Sequence, residues 1–275
     1  MFKQRLLSGI VLVAIAAAGL YMGGFVTLAM IAIVALIGYN ELLKIFDIDK
    51  SSLAVLGYTG TILYYGLLFF GLETWSTAII ILFMIFILGC YVIRFPKYHM
   101  NQVFGCFFGF VYVSIMLSYV YQLRVAQNGG EFILLIFLAA WGNDTLAYCV
   151  GKLTGKTIGN HKMTPSLSPK KSIEGLVGGV VGAAILGAIY GGYLKTIVRF
   201  SFNPIIVFAM ICGIGAAIAV IGDLAASAIK RDSNIKDYGT LIPGHGGILD
   251  RFDSIILIAP VIYYLTLMLS GGAVQ

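Results

Sequence analysis

The sequence predicts an all-α, polytopic integral membrane protein, a helical bundle of about nine transmembrane helices with its N-terminus in the cytoplasm. Three observations predict it. Of the 275 residues, 60% are hydrophobic and only 11% charged, whereas about a quarter of the residues in soluble domains are charged. The apolar residues gather in long runs, and roughly 20 such residues are what an α-helix needs to cross the hydrocarbon core. Finally, the Lys and Arg residues are unevenly divided among the segments that join the runs.

Nine runs qualify, at 6–22, 25–45, 53–71, 76–93, 103–123, 132–150, 176–194, 204–229 and 254–270. The first, with Lys3 and Arg5 before it and Ala16, Ala17 and Ala18 within it, has the outline of a signal peptide. It continues without a polar cleavage region, which favours a retained span. With the N-terminus inside, Lys3, Arg5, Lys44, Lys50, Arg94, Lys97, Lys152, Lys156, Lys162, Lys170, Lys171, Lys230, Arg231, Lys236 and Arg251 all fall on the cytoplasmic side. Arg124, Lys195 and Arg199 fall outside. This satisfies the positive-inside rule, concentrates the net charge of +6 on one face, and places the C-terminus outside. The expected location is the cell membrane, with membrane lipids and no nucleic acid as partners. Cys90, Cys106, Cys149 and Cys212 lie within apolar runs without C-x-x-C spacing, so neither a zinc site nor a disulfide framework is indicated.

The chain divides into residues 1–130, five spans with few polar residues, and residues 131–275, a catalytic region with cytoplasmic loops at 151–174 and 230–253. Leading into the first loop, Trp141 to Tyr148 ends an apolar helix and places Asn143 and Asp144 near or inside the membrane. An ionisable residue at such depth marks a functional site by default; the other reading is a headgroup-level residue that caps a turn. The Gly151, Lys152, Gly155 and Lys156 pattern is not a Walker A motif, which needs four residues between its first Gly and the Gly-Lys pair. Ser168, Pro169, Lys170, Lys171 and Ser172 then precede the next helix, where backbone N–H groups and the dipole favour an anion. Two lysines and two hydroxyls suit a phosphate there, or alternatively anionic lipid headgroups.

In the eighth run, Asp223, Ser227 and Lys230 share one helix face, followed by Arg231. A bound cation or a salt bridge to Lys230 would each relieve the cost of burying Asp223. Lys236 leads into Pro243-Gly244-His245-Gly246-Gly247, whose glycines let the backbone approach a ligand closely. Asp250, Arg251 and Asp253 follow at once. The two acids, three residues apart, share a face if a helix begins there. They serve either as N-caps or, with Asp223, as oxygen ligands for Mg²⁺, which takes one or two carboxylates together with substrate phosphates.

The stretch 227–253, SAIKRDSNIKDYGTLIPGHGGILDRFD, resembles the pattern of the phosphatidate cytidylyltransferases, also called CDP-diacylglycerol synthases. Residues 144–174, especially Ser168 to Ser172 and Glu174-Gly175, resemble the same family. The resemblance implies CTP plus phosphatidic acid giving CDP-diacylglycerol and diphosphate, and it implies a homodimer. On this reading Asp223, Asp250 and Asp253 hold Mg²⁺, and three acids leave room for a second cation such as K⁺. Ser168, Lys170, Lys171, Lys230, Arg231, Lys236 and Arg251 then grip phosphates, Ser227 orients one, and Asn143 and Asp144 border a substrate pocket. His245 either protonates the leaving group or acts as a fixed donor. Two other functions compete. A CDP-alcohol phosphotransferase needs an Asp-Gly dipeptide and two aspartates four apart, which this chain lacks. A transporter of an anionic solute is favoured by internal repeats, and the first half has no segment matching the polar ones of the second.

Overall fold

Backbone groups in hydrocarbon must pair within their own segment, and this chain meets that demand with helices. The computed structural model describes residues 2–155, 159, 161–165, 167–195, 202–242 and 244–269. Lys156, Arg199 and Pro243, which figure in the sequence reading, lie outside the described residues, as do the side chains of residues 2–7. In chain order the helices are α1 (Phe2–Met22), α2 (Gly24–Ile45), α3 (Ser52–Phe69), α4 (Glu73–Ile93), α5 (Met100–Val125), α6 (Gly129–Thr154), α7 (Ile173–Leu194), α8 (Pro204–Asp232) and α9 (Leu249–Leu269). Among the described residues, α2 to α9 are each long and apolar enough to cross a membrane, and the apolar part of α1 is Ser8–Met22. The protein is thus an all-α, multi-pass membrane protein.

Helix ends depart from the apolar runs by up to five residues, most clearly where α9 starts at Leu249. Hydrogen bonding, not hydropathy, decides where a helix stops, and side chains that accept the first N–H groups extend it into polar sequence. Ser172 illustrates this, its Oγ accepting from Gly175 N at 3.1 Å to begin α7 three residues before the apolar run. The loop expected at 151–174 is also more regular than a loop. Its start completes α6, and strands β1 (Lys162–Thr164) and β2 (Ser168–Ser172) pair antiparallel, with Lys162 opposite Ser172 and Thr164 opposite Ser168. Two α-helices are interrupted by π-helical segments, Phe110–Ile115 in α5 and Leu138–Gly142 in α6.

Two compact units are present. The first comprises Met1–Tyr121 and Asp237–Phe252, the second Gln122–Lys236 and Asp253–Gln275. Within the first, polar side chains of the spans bond to neighbouring helices. Tyr39 OH donates to Cys106 O at 2.8 Å, Tyr65 OH donates to Ser114 O at 3.0 Å, and Thr61 Oγ1 lies 2.8 Å from Ser114 Oγ. In the second, α7 has two contrasting faces. Gly175, Gly179, Ala183, Gly187 and Gly191 recur every fourth residue and are buried, while Val177, Val181, Ile185, Ile189 and Tyr193 are exposed. The hydrophobic effect does not draw helices together in lipid, so close backbone packing must do so. A Cβ at Gly187 would lie 2.3 Å from Phe208 O on α8, and one at Gly191 would lie 2.3 Å from Pro204 O.

Gly187→Ala should destabilise the protein by about 1–3 kcal/mol, the usual cost of overpacking, whereas Val181→Ala on the exposed face should stay within about 0.5 kcal/mol of wild type. Unfolding by SDS titration from detergent micelles measures both, and equal stabilities would mean that the glycine face does not determine packing.

Candidate active site

The second unit contains a cavity of about 450 Å³. Helix α6 contributes Asp144, Ala147, Tyr148, Gly151 and Lys152; the hairpin contributes Lys162, Met163, Lys170, Lys171 and Ser172; Leu176 and Val220 complete an apolar wall. The π-helical turn Leu138–Gly142 immediately precedes Asp144, and such local register changes concentrate at functional sites. Of the two polar residues read as bordering a pocket, Asp144 does line the cavity. Asn143 is buried instead against α7, where a Cβ on Gly179 would meet its Oδ1 at 2.4 Å.

Strand β2 aims its lysines because its end is anchored. Ser172 caps α7, Ile173 N donates to His161 O at 2.9 Å, and His161 Nδ1 lies 2.5 Å from Glu174 Oε1. Lys171 Nζ forms an ion pair with Asp223 Oδ2 on α8, both side chains being roughly one-quarter to one-third exposed at 26% and 31%. Asp144 interacts electrostatically with both of them. The pair ties the first large loop, through Lys171, to α8 at the residue that opens the Asp223, Ser227 and Lys230 stripe. Lys152, beside this group, lies 5.8 Å from the Tyr148 ring centroid. Ser168 is half-buried in β2 and does not line the cavity.

Helix α8 runs unbroken to Asp232, so Asp223, Ser227 and Lys230 do share a face. Arg231 and Lys236 are exposed. Gly222 packs on the start of α9, where a Cβ would lie 2.8 Å from Asp253 O. This brings the backbone of Asp253 to the residue preceding Asp223. Asp253 Oδ1 accepts from Ser254 N at 2.8 Å.

In the first unit the glycine-rich loop is organised by two carboxylates. Asp250, 7% exposed, accepts from Tyr238 N at 2.8 Å and Gly247 N at 2.9 Å through Oδ2. Gly244 and Gly246 have φ of 77° and 84°, a left-handed conformation that glycine adopts without strain. His245 Nδ1 lies 2.9 Å from Ser8 Oγ on α1, and Arg251 is exposed. The second carboxylate, Glu41 on α2, is 3% exposed and accepts from Ile248 N at 3.0 Å and Leu249 N at 2.9 Å. Sequence reasoning passed over Glu41, although a lone acid inside the 25–45 run carries the same signal that singled out Asp144.

The expected Mg²⁺ ligands fit that ion in chemistry. Among the described residues, no three His, Cys, Asp or Glu side chains gather around one point. Mg²⁺ does not need such a cage, because it is usually held by one or two carboxylates while phosphates and water complete the shell. The carboxylates of Asp223, Asp250 and Asp253 are hard oxygen donors of the kind that mode of binding uses.

Comparison with known proteins agrees with this chemistry. Residues 3–269 match the cytidylyltransferase family. A phosphatidate cytidylyltransferase of Staphylococcus saprophyticus is 31% identical over 276 residues, covering 97% of this chain and 100% of the relative. Those of Staphylococcus haemolyticus and Staphylococcus aureus are each 32% identical, over 271 and 268 residues. They cover 97% and 94% of this chain and 100% and 97% of their own lengths. With α2 to α9, the hairpin, the glycine loop and all but the first residue of α1 inside the matched region, this chain belongs to the cytidylyltransferase family.

Proposed function

We propose that this protein is a phosphatidate cytidylyltransferase, transferring the cytidylyl group of CTP to phosphatidic acid in phospholipid biosynthesis. The observation that carries the reading is the cavity of the second unit, where Lys152, Lys162, Lys170 and Lys171 flank Asp144 beside the apolar wall of Ala147, Leu176 and Val220. An anionic head on an apolar body suits such a lining, as it combines charge-assisted hydrogen bonds with apolar contact.

A phosphatidate oxygen attacks the α-phosphorus of CTP in line; that P–O bond forms as the bond to the β-phosphate oxygen breaks, and diphosphate leaves. Phosphatidate is already anionic at neutral pH, so no strong base is required. The work of the protein is to bring two polyanions together and offset their charge. Lys170 and Lys171 grip the lipid phosphate, with Ser168 supporting the strand that carries them. Lys230, Arg231, Lys236 and Arg251 take nucleotide phosphates, and Ser227 orients one by hydrogen bonding. Asp223, Asp250 and Asp253 are the acids that would offer carboxylate oxygens to Mg²⁺, one or two of them to an ion, which would leave room for a second cation such as K⁺. When bound, the metal neutralises charge building on the phosphorus and on the departing diphosphate. His245, held at Nδ1 by Ser8, acts as a fixed hydrogen-bond donor. The distribution of Lys and Arg supports a site facing the cytoplasm, and the family resemblance supports a homodimer.

Purified protein incubated with radiolabelled CTP, phosphatidic acid and Mg²⁺ should yield labelled lipid, and its absence would defeat the assignment. Asp223→Asn and Asp250→Asn should each lower turnover by about 10³-fold, the order seen when a charge-stabilising group is lost from a phosphoryl-transfer site. Wild-type rates in either variant would remove that residue from the metal site. Lys171→Met should raise KM for phosphatidic acid by about 10-fold, corresponding to the loss of one charged hydrogen bond, while His245→Gln should keep most of the activity. A large loss in His245→Gln would favour proton transfer to the leaving group.

A further inference from the structure

Glu41 is a carboxylate with almost no contact with water, placed within an apolar helix. A buried charge is tolerated only where fixed partners replace its hydration. Here the partners are the amides of Ile248 and Leu249, at the start of α9, each bonded to a different carboxylate oxygen. The positive end of the helix dipole favours an anion at that place. An ordinary N-cap is a short side chain next to the helix in sequence. This one reaches the helix from α2, more than two hundred residues away in the chain.

The loop is built around that carboxylate. A Cβ on Gly239 would lie 2.5 Å from Glu41 Oε1, and one on Gly247 would lie 2.4 Å from it. Neither glycine has the positive φ of Gly244 and Gly246, so what requires glycine at both positions is clearance for Glu41. Three successive amides are divided between two acids: Gly247 N donates to Asp250, while Ile248 N and Leu249 N donate to Glu41. Rotating the peptides that Glu41 holds would rotate the amide that holds Asp250. Because Asp250 Oδ2 is committed to the loop, the loop sets the direction of the carboxyl group.

We infer that Glu41 is a positioning residue for the nucleotide and its cation, fixing the loop at Gly239 and Gly247 so that Asp250 is held in the orientation it needs. The inference rests on the reading of Asp250 as a cation ligand. Residues that orient metal ligands, rather than touch the metal, typically change affinity or activity by about 10- to 100-fold when replaced.

Glu41→Gln preserves volume but turns an amide NH₂ toward one of the two backbone N–H groups, placing donor against donor. Equilibrium dialysis of radiolabelled CTP against the full-length, detergent-purified protein at a series of Mg²⁺ concentrations reads binding without turnover. Glu41→Gln should weaken Mg²⁺-dependent CTP binding by about 10- to 100-fold, leave KM for phosphatidic acid within about 2-fold of wild type, and keep a cooperative thermal transition. Asp250→Asn should weaken the same binding, and the double variant should be no weaker than Asp250→Asn alone, as non-additivity is expected of residues acting as a unit. If Glu41→Gln fails to fold, Gly239→Ala presses on the carboxylate from the loop side and should give the same pattern. A wild-type Mg²⁺ dependence in the folded Glu41 or Gly239 variant, alongside a weakened Asp250→Asn, overturns the positioning role alone. Unchanged binding in Asp250→Asn overturns the metal reading of Asp250, and the inference with it.

Discussion

A carboxylate withdrawn from water has to be met by something that replaces its hydration, and in a chain with so few charges that requirement organises each unit. In the first, Glu41 and Asp250 are met by backbone amides, whose hydrogen bonds offset the cost of burial and order a stretch that otherwise has little pairing beyond the Ile242–Gly246 bridge. In the second, Asp223 is met by an ammonium group, which fixes the strand that carries it. Amides confer position, because they are rigid parts of the chain. A lysine confers charge on a flexible stem, and it can exchange one anionic partner for another. The two units thus solve the same electrostatic problem with different degrees of commitment.

Glycine makes both solutions sterically accessible, for different reasons at different positions. On α7 it lets backbone meet backbone, with Gly187 and Gly191 against carbonyl oxygens of α8. At Gly239 and Gly247 it lets backbone meet a carboxylate. At Gly244 and Gly246 it supplies a left-handed turn. Only the last of these is the conformational freedom usually read from a glycine-rich motif. The loop's amides, which invite a phosphate when seen in sequence, are used in large part by the protein's own acids.

Much of the fold was legible in the sequence because a span is a property of composition over many residues, and each predicted run finds its helix. The ends were less so: α9 starts at Leu249 rather than 254 because Glu41, distant in sequence, accepts its first N–H groups. The hairpin was missed because β1 and β2 are short and rich in lysine, and their pairing answers a need for backbone partners that hydropathy does not register. At the site, the motif residues were visible as polar outliers in apolar surroundings, and one of them, Asp144, lies on the cavity wall. Asn143, beside it, is turned into the α6–α7 contact because a helix separates neighbours by about 100° and the glycine face of α7 admits it. Glu41 was overlooked since Asn40 and Lys44 beside it make it read as the ordinary polar end of a span; its partners at 248 and 249 are supplied by folding alone. The Lys171–Asp223 pair was out of reach for the same reason, as each residue had a closer sequence partner in Lys170 or Lys230.

The pairing of Lys171 with Asp223 also bears on how a site for polyanions survives without them. Four lysines on one cavity repel one another. Offsetting that repulsion entirely with acids would leave nothing to attract a phosphate; leaving it unopposed would strain the short hairpin that carries three of them. Asp144 and Asp223 form an intermediate arrangement, in which part of the positive charge is engaged and part is open to a ligand. An anion that enters such a cavity does not have to organise the lysines first, because Lys171 is already drawn toward α8 and Ser172 already anchors the strand. It has only to compete with a carboxylate that is itself suited to a cation. If the same event delivers a cation to Asp223, the exchange replaces one set of ion pairs by another with little net loss of charge compensation. Substrate phosphate and metal would then favour one another's binding through the residues they each displace.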